Sequence, residues 1–202
     1  MTKDIKAIIF DMGGVILRTE DKASRTALAK RFGLSRIELE DMVFNSPSAM
    51  AATVGSIGER EHWKNVWESL KVPESEWPAC EASFWDGDFL DQDLISFLRS
   101  QQGTRITALL SNAWSGARDA LTYKHPCLDA FDVSVFSYEV KLAKPDPAIY
   151  ELILERVGVE AQHALFLDDN EANIISAGSM DIHAIRFLNA DQALREIRAL
   201  ID

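Results

Sequence analysis

Cysteine is scarce in this chain: only Cys80 and Cys127 occur among 202 residues, without the spacing of a metal knuckle or a redox pair. That argues against a disulfide framework and a cysteine-built zinc site, and both thiols are expected to be reduced and buried. Positive charge is also short. Lys and Arg number 21 against 32 Asp and Glu, a formal charge of −11, so nucleic acid and anionic membrane surfaces are disfavoured as partners because charge repulsion would dominate the encounter. No apolar run approaches the roughly eighteen residues that span a bilayer. The first six residues lack the layout of a secretory signal, which makes the cytoplasm the expected compartment.

What the chain has is apolar substance: 47% of its residues, enough to fill one full-sized domain and a small accessory one. Residues 5–10 form an isoleucine-rich apolar run that ends in Asp11 and is followed by Gly13-Gly14, the pattern of a buried strand stopping at a turn. Residues 19–85 carry helical patterning, with capping-box spacing at Ser35-x-x-Glu38 and Ser56-x-x-Glu59 and possible stops at Gly33 and Gly55. From Asp91 onward helices and strands alternate. Helices are expected at about 91–102, 115–124, 147–157, 170–179 and 190–200, and strands at about 105–110, 132–136, 163–167 and 182–187. With the first strand this makes five. Alternation of this kind implies an α/β fold with a doubly wound, Rossmann-like parallel sheet.

Ligands of such sheets bind beyond the carboxyl ends of the strands. The polar residues expected there are Asp11, Ser111 with Asn112, Ser137, and Asp168 with Asp169. Asp11 is placed as a carboxylate nucleophile would be, although a turn-capping aspartate has the same local pattern. Ser111-Asn112 offers a hydroxyl and backbone N–H groups to an anion, or an N-cap to the next helix. Lys144 precedes Pro145-Asp146-Pro147, a rigid helix entrance that would fix an ammonium, though a lone lysine is commonly a surface charge. Lys141, nearby, reads as surface. Asp168-Asp169 places two carboxylates at one strand tip, where a divalent cation relieves their repulsion; otherwise one caps the helix near Asn170. Asn173, one turn on, can hydrogen-bond to either.

Together, Asp11-Met12-Gly13-Gly14-Val15, Leu110-Ser111-Asn112, Lys144-Pro145-Asp146-Pro147 and Phe166-Leu167-Asp168-Asp169-x₃-Asn173 resemble the four ordered motifs of the haloacid dehalogenase superfamily. The resemblance covers nearly the whole chain and extends to a helical cap inserted after the first strand, as in the subgroup I members. It implies a core of residues 1–18 and 88–202, a cap of residues 19–87, and Mg²⁺-dependent hydrolysis of a small phosphomonoester such as a sugar phosphate. By the same resemblance Asp11 attacks phosphorus, while Ser111, Asn112 and Lys144 meet the phosphoryl oxygens. Mg²⁺ would lie between Asp11, the Gly13 carbonyl and Asp169, with Asp168 acting on the site through its neighbours. The phosphorylated metabolite is the only partner implied, and the chain would be a monomer or homodimer.

Three positions depart from the family pattern. Phosphatases of this family usually carry a second aspartate two residues after the nucleophile as acid and base; here that position is Gly13. A glycine moves no proton, which favours substrates with good leaving groups. Lys141 and Asp181 stand where small residues or glycine are common and are expected only to reshape turns. Within 19–85, Trp63, Trp67, Trp77, Trp85, Phe32, Phe44 and Phe84 read as the core of a small bundle before they read as a substrate pocket. His62 and His125 are not placed in the site. Two other functions fit parts of the pattern. A 2-haloacid dehalogenase would use the same aspartate without a metal, and a non-catalytic binder of a phosphorylated ligand would explain Gly13.

Overall fold

In the computed structural model, which describes residues 3–201, alternate side chains of the central strand β1 (Ala7–Phe10) enter two different cores. Ile8 and Phe10 face one apolar cluster, Ala7 and Ile9 the other. A strand buried on both faces needs helices on both, and the sequence supplies them.

The remaining strands are β2 (Leu17–Thr19), β3 (Asp88–Leu90), β4 (Ile106–Ser111), β5 (Val133–Phe136), β6 (Ala164–Asp168) and β7 (His183–Arg186). The helices are α1 (Ala23–Arg31), α2 (Arg36–Phe44), α3 (Pro47–Thr53), α4 (Glu59–Ser69), α5 (Trp77–Trp85), α6 (Gln92–Gln101), α7 (Ala117–Asp119), α8 (Ser137–Val140), α9 (Pro147–Val157), α10 (Glu171–Ser179) and α11 (Ala190–Ile201). Five strands form one parallel sheet in the order β5-β4-β1-β6-β7. β1 is thus central, and strand order reverses beside it, where a crevice opens at the carboxyl ends. α6 and α11 bury Leu94, Leu98, Ala193 and Ile197 on one face, and α9 buries Ile149, Tyr150 and Ile153 on the other.

Helices α1, α2, α4 and α5 surround a separate cluster that includes Leu28, Leu39, Val43, Trp63, Trp67 and Phe84. Trp63 and Trp67 stack at 5.2 Å in its centre, so these indoles are core, as their helical spacing indicated. Cys80 is buried in this cluster and Cys127 in the sheet core.

Several local expectations are corrected. The antiparallel ribbon β2–β3 joins the helical segment to the sheet, and its three-residue strands leave too short a pattern to read. The expected helix 115–124 divides into the short α7 and a π-helical turn, Ala120–Lys124. Ser35 and Glu38 form the capping box of α2, but Ser56 caps nothing: α4 starts after Gly58 without a side-chain cap. Lys141 and Asp181 both take left-handed backbone conformations, φ 59° and 64°, which is why glycine suits such positions. Among the described residues, no helix is long and apolar enough to cross a membrane.

Candidate active site

The register of the sheet sets the site. Phe10 pairs with Leu109 and with Leu167, so β1, β4 and β6 end at nearly the same level. Asp11, Ser111 and Asp168 therefore stand side by side, and the Asp11 N–H donates to the Leu167 carbonyl at 2.9 Å. The Asp11 carboxylate accepts from the Met12 N–H at 2.7 Å and from the Lys144 ammonium at 2.8 Å.

Lys144 is the opposite of a surface lysine, with its side chain 1% exposed. Asn112 fixes its backbone from both sides, accepting from the Lys144 N–H and donating to its carbonyl, each at 2.8 Å. Asp146 caps α9 and Pro147 opens it, so the ammonium is delivered by rigid backbone. The Asn112 amide is thereby committed to Lys144, and only its main chain is left to meet a ligand.

Asp168 is fully buried. It accepts from Lys144 at 2.6 Å, from the Asn170 N–H at 2.8 Å and from the Asn173 amide at 3.0 Å to both oxygens. This carboxylate orients Lys144 and is itself held by α10. Asp169, next along, faces outward. Oxygens of Asp11, Asp168 and Asp169 all lie within 4.8 Å of one another. Gly14, at φ 79°, lets the turn after β1 pass under Asp169, since a Cβ there would overlap that carboxylate. Gly13 lies in the same turn with open space around it.

Two of these carboxylates, Asp11 and Asp168, share one ammonium. Burial, with Asp168 nearby and Lys144 opposing, lifts Asp11 to about 7; burial and Asp168 also raise Asp169. Burial alone would push Lys144 down, but Asp11 and Asp168 outweigh it and hold the ammonium above its ordinary range. Carboxylates made costly to ionise in this way suit a hard divalent cation, for which they are the preferred ligands. Ser111 completes the set: its hydroxyl is buried and has no hydrogen-bond partner. A cavity of about 480 Å³ opens beside Asp169, lined by Gly14, Arg18, Glu20, Arg186 and Phe187 among others.

The structure thus brings together Asp11, Gly13, Ser111, Asn112, Lys144, Asp168 and Asp169. Ser137 is different. Its hydroxyl accepts from the Ala113 N–H at 2.9 Å and donates to the Thr53 carbonyl at 2.6 Å, tying the β4 loop to the helical unit. His62 is buried among α-helices with its Nδ1 2.9 Å from the Ser48 hydroxyl, and His125 is not in the acidic cluster. Sequence reasoning missed Trp114, whose ring joins the helical cluster from the β4 loop; the one available signal was a tryptophan three residues beyond Ser111.

Residues 5–181 match the family described as haloacid dehalogenase-like hydrolase. The chain is 39% identical to a phosphorylated carbohydrates phosphatase of Thermotoga maritima, over 97% of this chain and 93% of that protein. It is also 39% identical to mouse acyl-CoA dehydrogenase family member 10, but over 71 residues, 35% of this chain and 7% of that much longer protein. Among solved structures, the Bacteroides thetaiotaomicron enzyme bt-2542, in complex with magnesium and inorganic phosphate, superposes with a TM-score of 0.74. That pair shares 22% identity, over 90% of this chain and 93% of the other.

Proposed function

Because this chain belongs to the haloacid dehalogenase-like hydrolases, we propose that it is a Mg²⁺-dependent phosphohydrolase of small phosphomonoesters, with Asp11 as nucleophile. One observation carries the reading: a buried ammonium lies 2.8 Å from Asp11 and 2.6 Å from Asp168, beside an unpartnered Ser111 hydroxyl and the outward-facing Asp169. A cation, a free donor and a carboxylate cluster converge where a phosphoryl group would sit, in a protein whose net charge would otherwise repel it.

Asp11, Asp169 and the Gly13 carbonyl would hold the metal, which when bound neutralises charge on the phosphoryl oxygens. An Asp11 oxygen attacks phosphorus, forming an O–P bond while the bond to the leaving alcohol breaks. Ser111 and Lys144 donate to the phosphoryl oxygens, and Asp168 keeps the ammonium aimed. Water then attacks the aspartyl phosphate at phosphorus, releasing phosphate and restoring the carboxylate. The helical unit, residues 19–87, serves as a cap over the core of residues 1–18 and 88–202, limiting the access of water.

Gly13 leaves no side chain to protonate the departing oxygen, so substrates whose leaving groups need little help, such as anomeric sugar phosphates, fit best. The relationship to the Thermotoga carbohydrate phosphatase supports a sugar phosphate. A panel of sugar phosphates, nucleoside monophosphates and aryl phosphates, each with Mg²⁺ or EDTA, tests this. Mg²⁺-dependent phosphate release that is fastest on anomeric phosphates is expected. No release from any of them, or halide release from a 2-haloacid in EDTA, would overturn it.

A further inference from the structure

Residues 111–115 run in a row off the end of β4, and each after Ser111 has a different partner. Ser111 keeps its hydroxyl free. Asn112 is committed to the Lys144 backbone. The Ala113 N–H donates to Ser137, whose hydroxyl donates in turn to the Thr53 carbonyl of α3. Trp114 leaves the sheet unit altogether. Its ring lies 4.4 Å from that of His62 and 5.9 Å from those of Phe44 and Trp63. Ser115 accepts from the Glu59 N–H at the start of α4, at 3.1 Å.

A loop that only linked β4 to α7 would need none of these ties. Three successive residues grip the helical unit, one grips Lys144, and the partnerless Ser111 hydroxyl stands at the head of the row. Consecutive Cα atoms are about 3.8 Å apart, so a shift of Trp114 reaches Ser111 within three residues and Lys144 within two. The aromatic seat is rigid because packed rings interdigitate and do not deform continuously.

We propose that Trp114 is a positioning residue that acts through Ser111 and Lys144, holding the pair in phosphoryl-binding geometry only while the helical unit is seated. The inference rests on the phosphohydrolase reading of those two residues. It assigns the β4 loop as a clasp: seating of the helical unit and order of the phosphate site are one event.

The test compares the full-length wild type with Trp114→Ala, Trp114→Phe and Ser137→Ala, in Mg²⁺, by calorimetric titration of inorganic phosphate and by amide hydrogen exchange. Trp114→Ala is expected to weaken phosphate binding roughly tenfold or more, while the Mg²⁺ midpoint stays within about twofold because Asp11 and Asp169 are not on the loop. Exchange should rise at residues 112–115 and at Lys144. Trp114→Phe, which keeps a ring in the seat, should recover most of the loss. Unchanged phosphate affinity in folded Trp114→Ala, or faster exchange confined to α1–α5, would overturn the clasp. If Trp114→Ala does not fold, Ser137→Ala cuts the Ala113–Thr53 tie and should give the same pattern more weakly; unchanged loop exchange there would count against it. A wild type that neither binds nor releases phosphate would defeat the phosphohydrolase reading instead, and the exchange pattern alone would then decide the clasp.

Discussion

Lys144 and Asp168 form an ion pair closed to solvent: Nζ stands 2.6 Å from Oδ2, and the side chains are 1% and 0% exposed. Two desolvated charges repay their burial only when geometry is good and the remaining lone pairs are satisfied. Here Asn170 and Asn173 satisfy Asp168, and Asp11 takes the other side of the ammonium. The pair is costly to assemble and costly to break.

Lys144→Met removes the cation and leaves Asp168 buried with amide donors only. Metal-free protein should lose about 3–5 kcal/mol in urea unfolding, and phosphate release should disappear. A loss under about 1 kcal/mol would mean that the pair is not a coupled buried unit.

Gly14 and Asp169 are related by space alone. Gly14→Ala strains a φ of 79° and drives a methyl group into the Asp169 carboxylate. Destabilisation of roughly 1–3 kcal/mol is expected, together with a raised Mg²⁺ midpoint in calorimetry. An unaltered midpoint would show that Asp169 does not hold the metal.

Acidity provides a separate check. Asp11 is raised to about 7, chiefly by burial, so the metal-free folded protein keeps a proton that the unfolded chain sheds near pH 4. The folded state therefore binds more protons in that window, and this group lowers stability progressively as pH rises from about 4 to about 7. Mg²⁺ needs the ionised carboxylate. Its apparent affinity should climb with pH up to about 7 and level off above, measured by calorimetry between about pH 5.5 and 8. A flat profile would contradict the assignment of Asp11 as a ligand.

Much of this site was legible in sequence because strand ends are marked by composition. An apolar run stopping at Asp11, at Ser111 and at Asp168 gives three positions that a parallel sheet must bring together, and Pro145-Asp146-Pro147 announces a fixed helix entrance at Lys144. The expected ends of α9 were met at both residues, because the fixed φ of Pro147 suits a first helical position and Gly158 readily takes the left-handed turn that ends a helix. The ribbon β2–β3 was not legible, since a three-residue strand shows no period. Nor was the burial of Lys144, which depends on two carboxylates from other strands, or the route of Trp114 into the helical cluster, which is a tertiary fact with no local pattern.

Gly13 has no atom within 4 Å of where a Cβ would lie and no left-handed backbone, so Gly13→Asp should be accommodated. An acid there should speed esters of poor leaving groups about 10- to 100-fold and flatten the dependence of rate on leaving-group pKa across aryl phosphates. The wild type should show a steep dependence. If the wild-type rates are already independent of leaving-group pKa, another group supplies the proton.

The nucleophilic role of Asp11 is tested most directly by phosphate release from a good substrate, with Mg²⁺ or EDTA, for wild type and Asp11→Asn. Asparagine keeps the size of the side chain but cannot form the phosphoryl ester, so Mg²⁺-dependent turnover is expected in the wild type and a loss of at least about 10³-fold in the variant. Turnover that survives Asp11→Asn, or that is unaffected by EDTA, would contradict it.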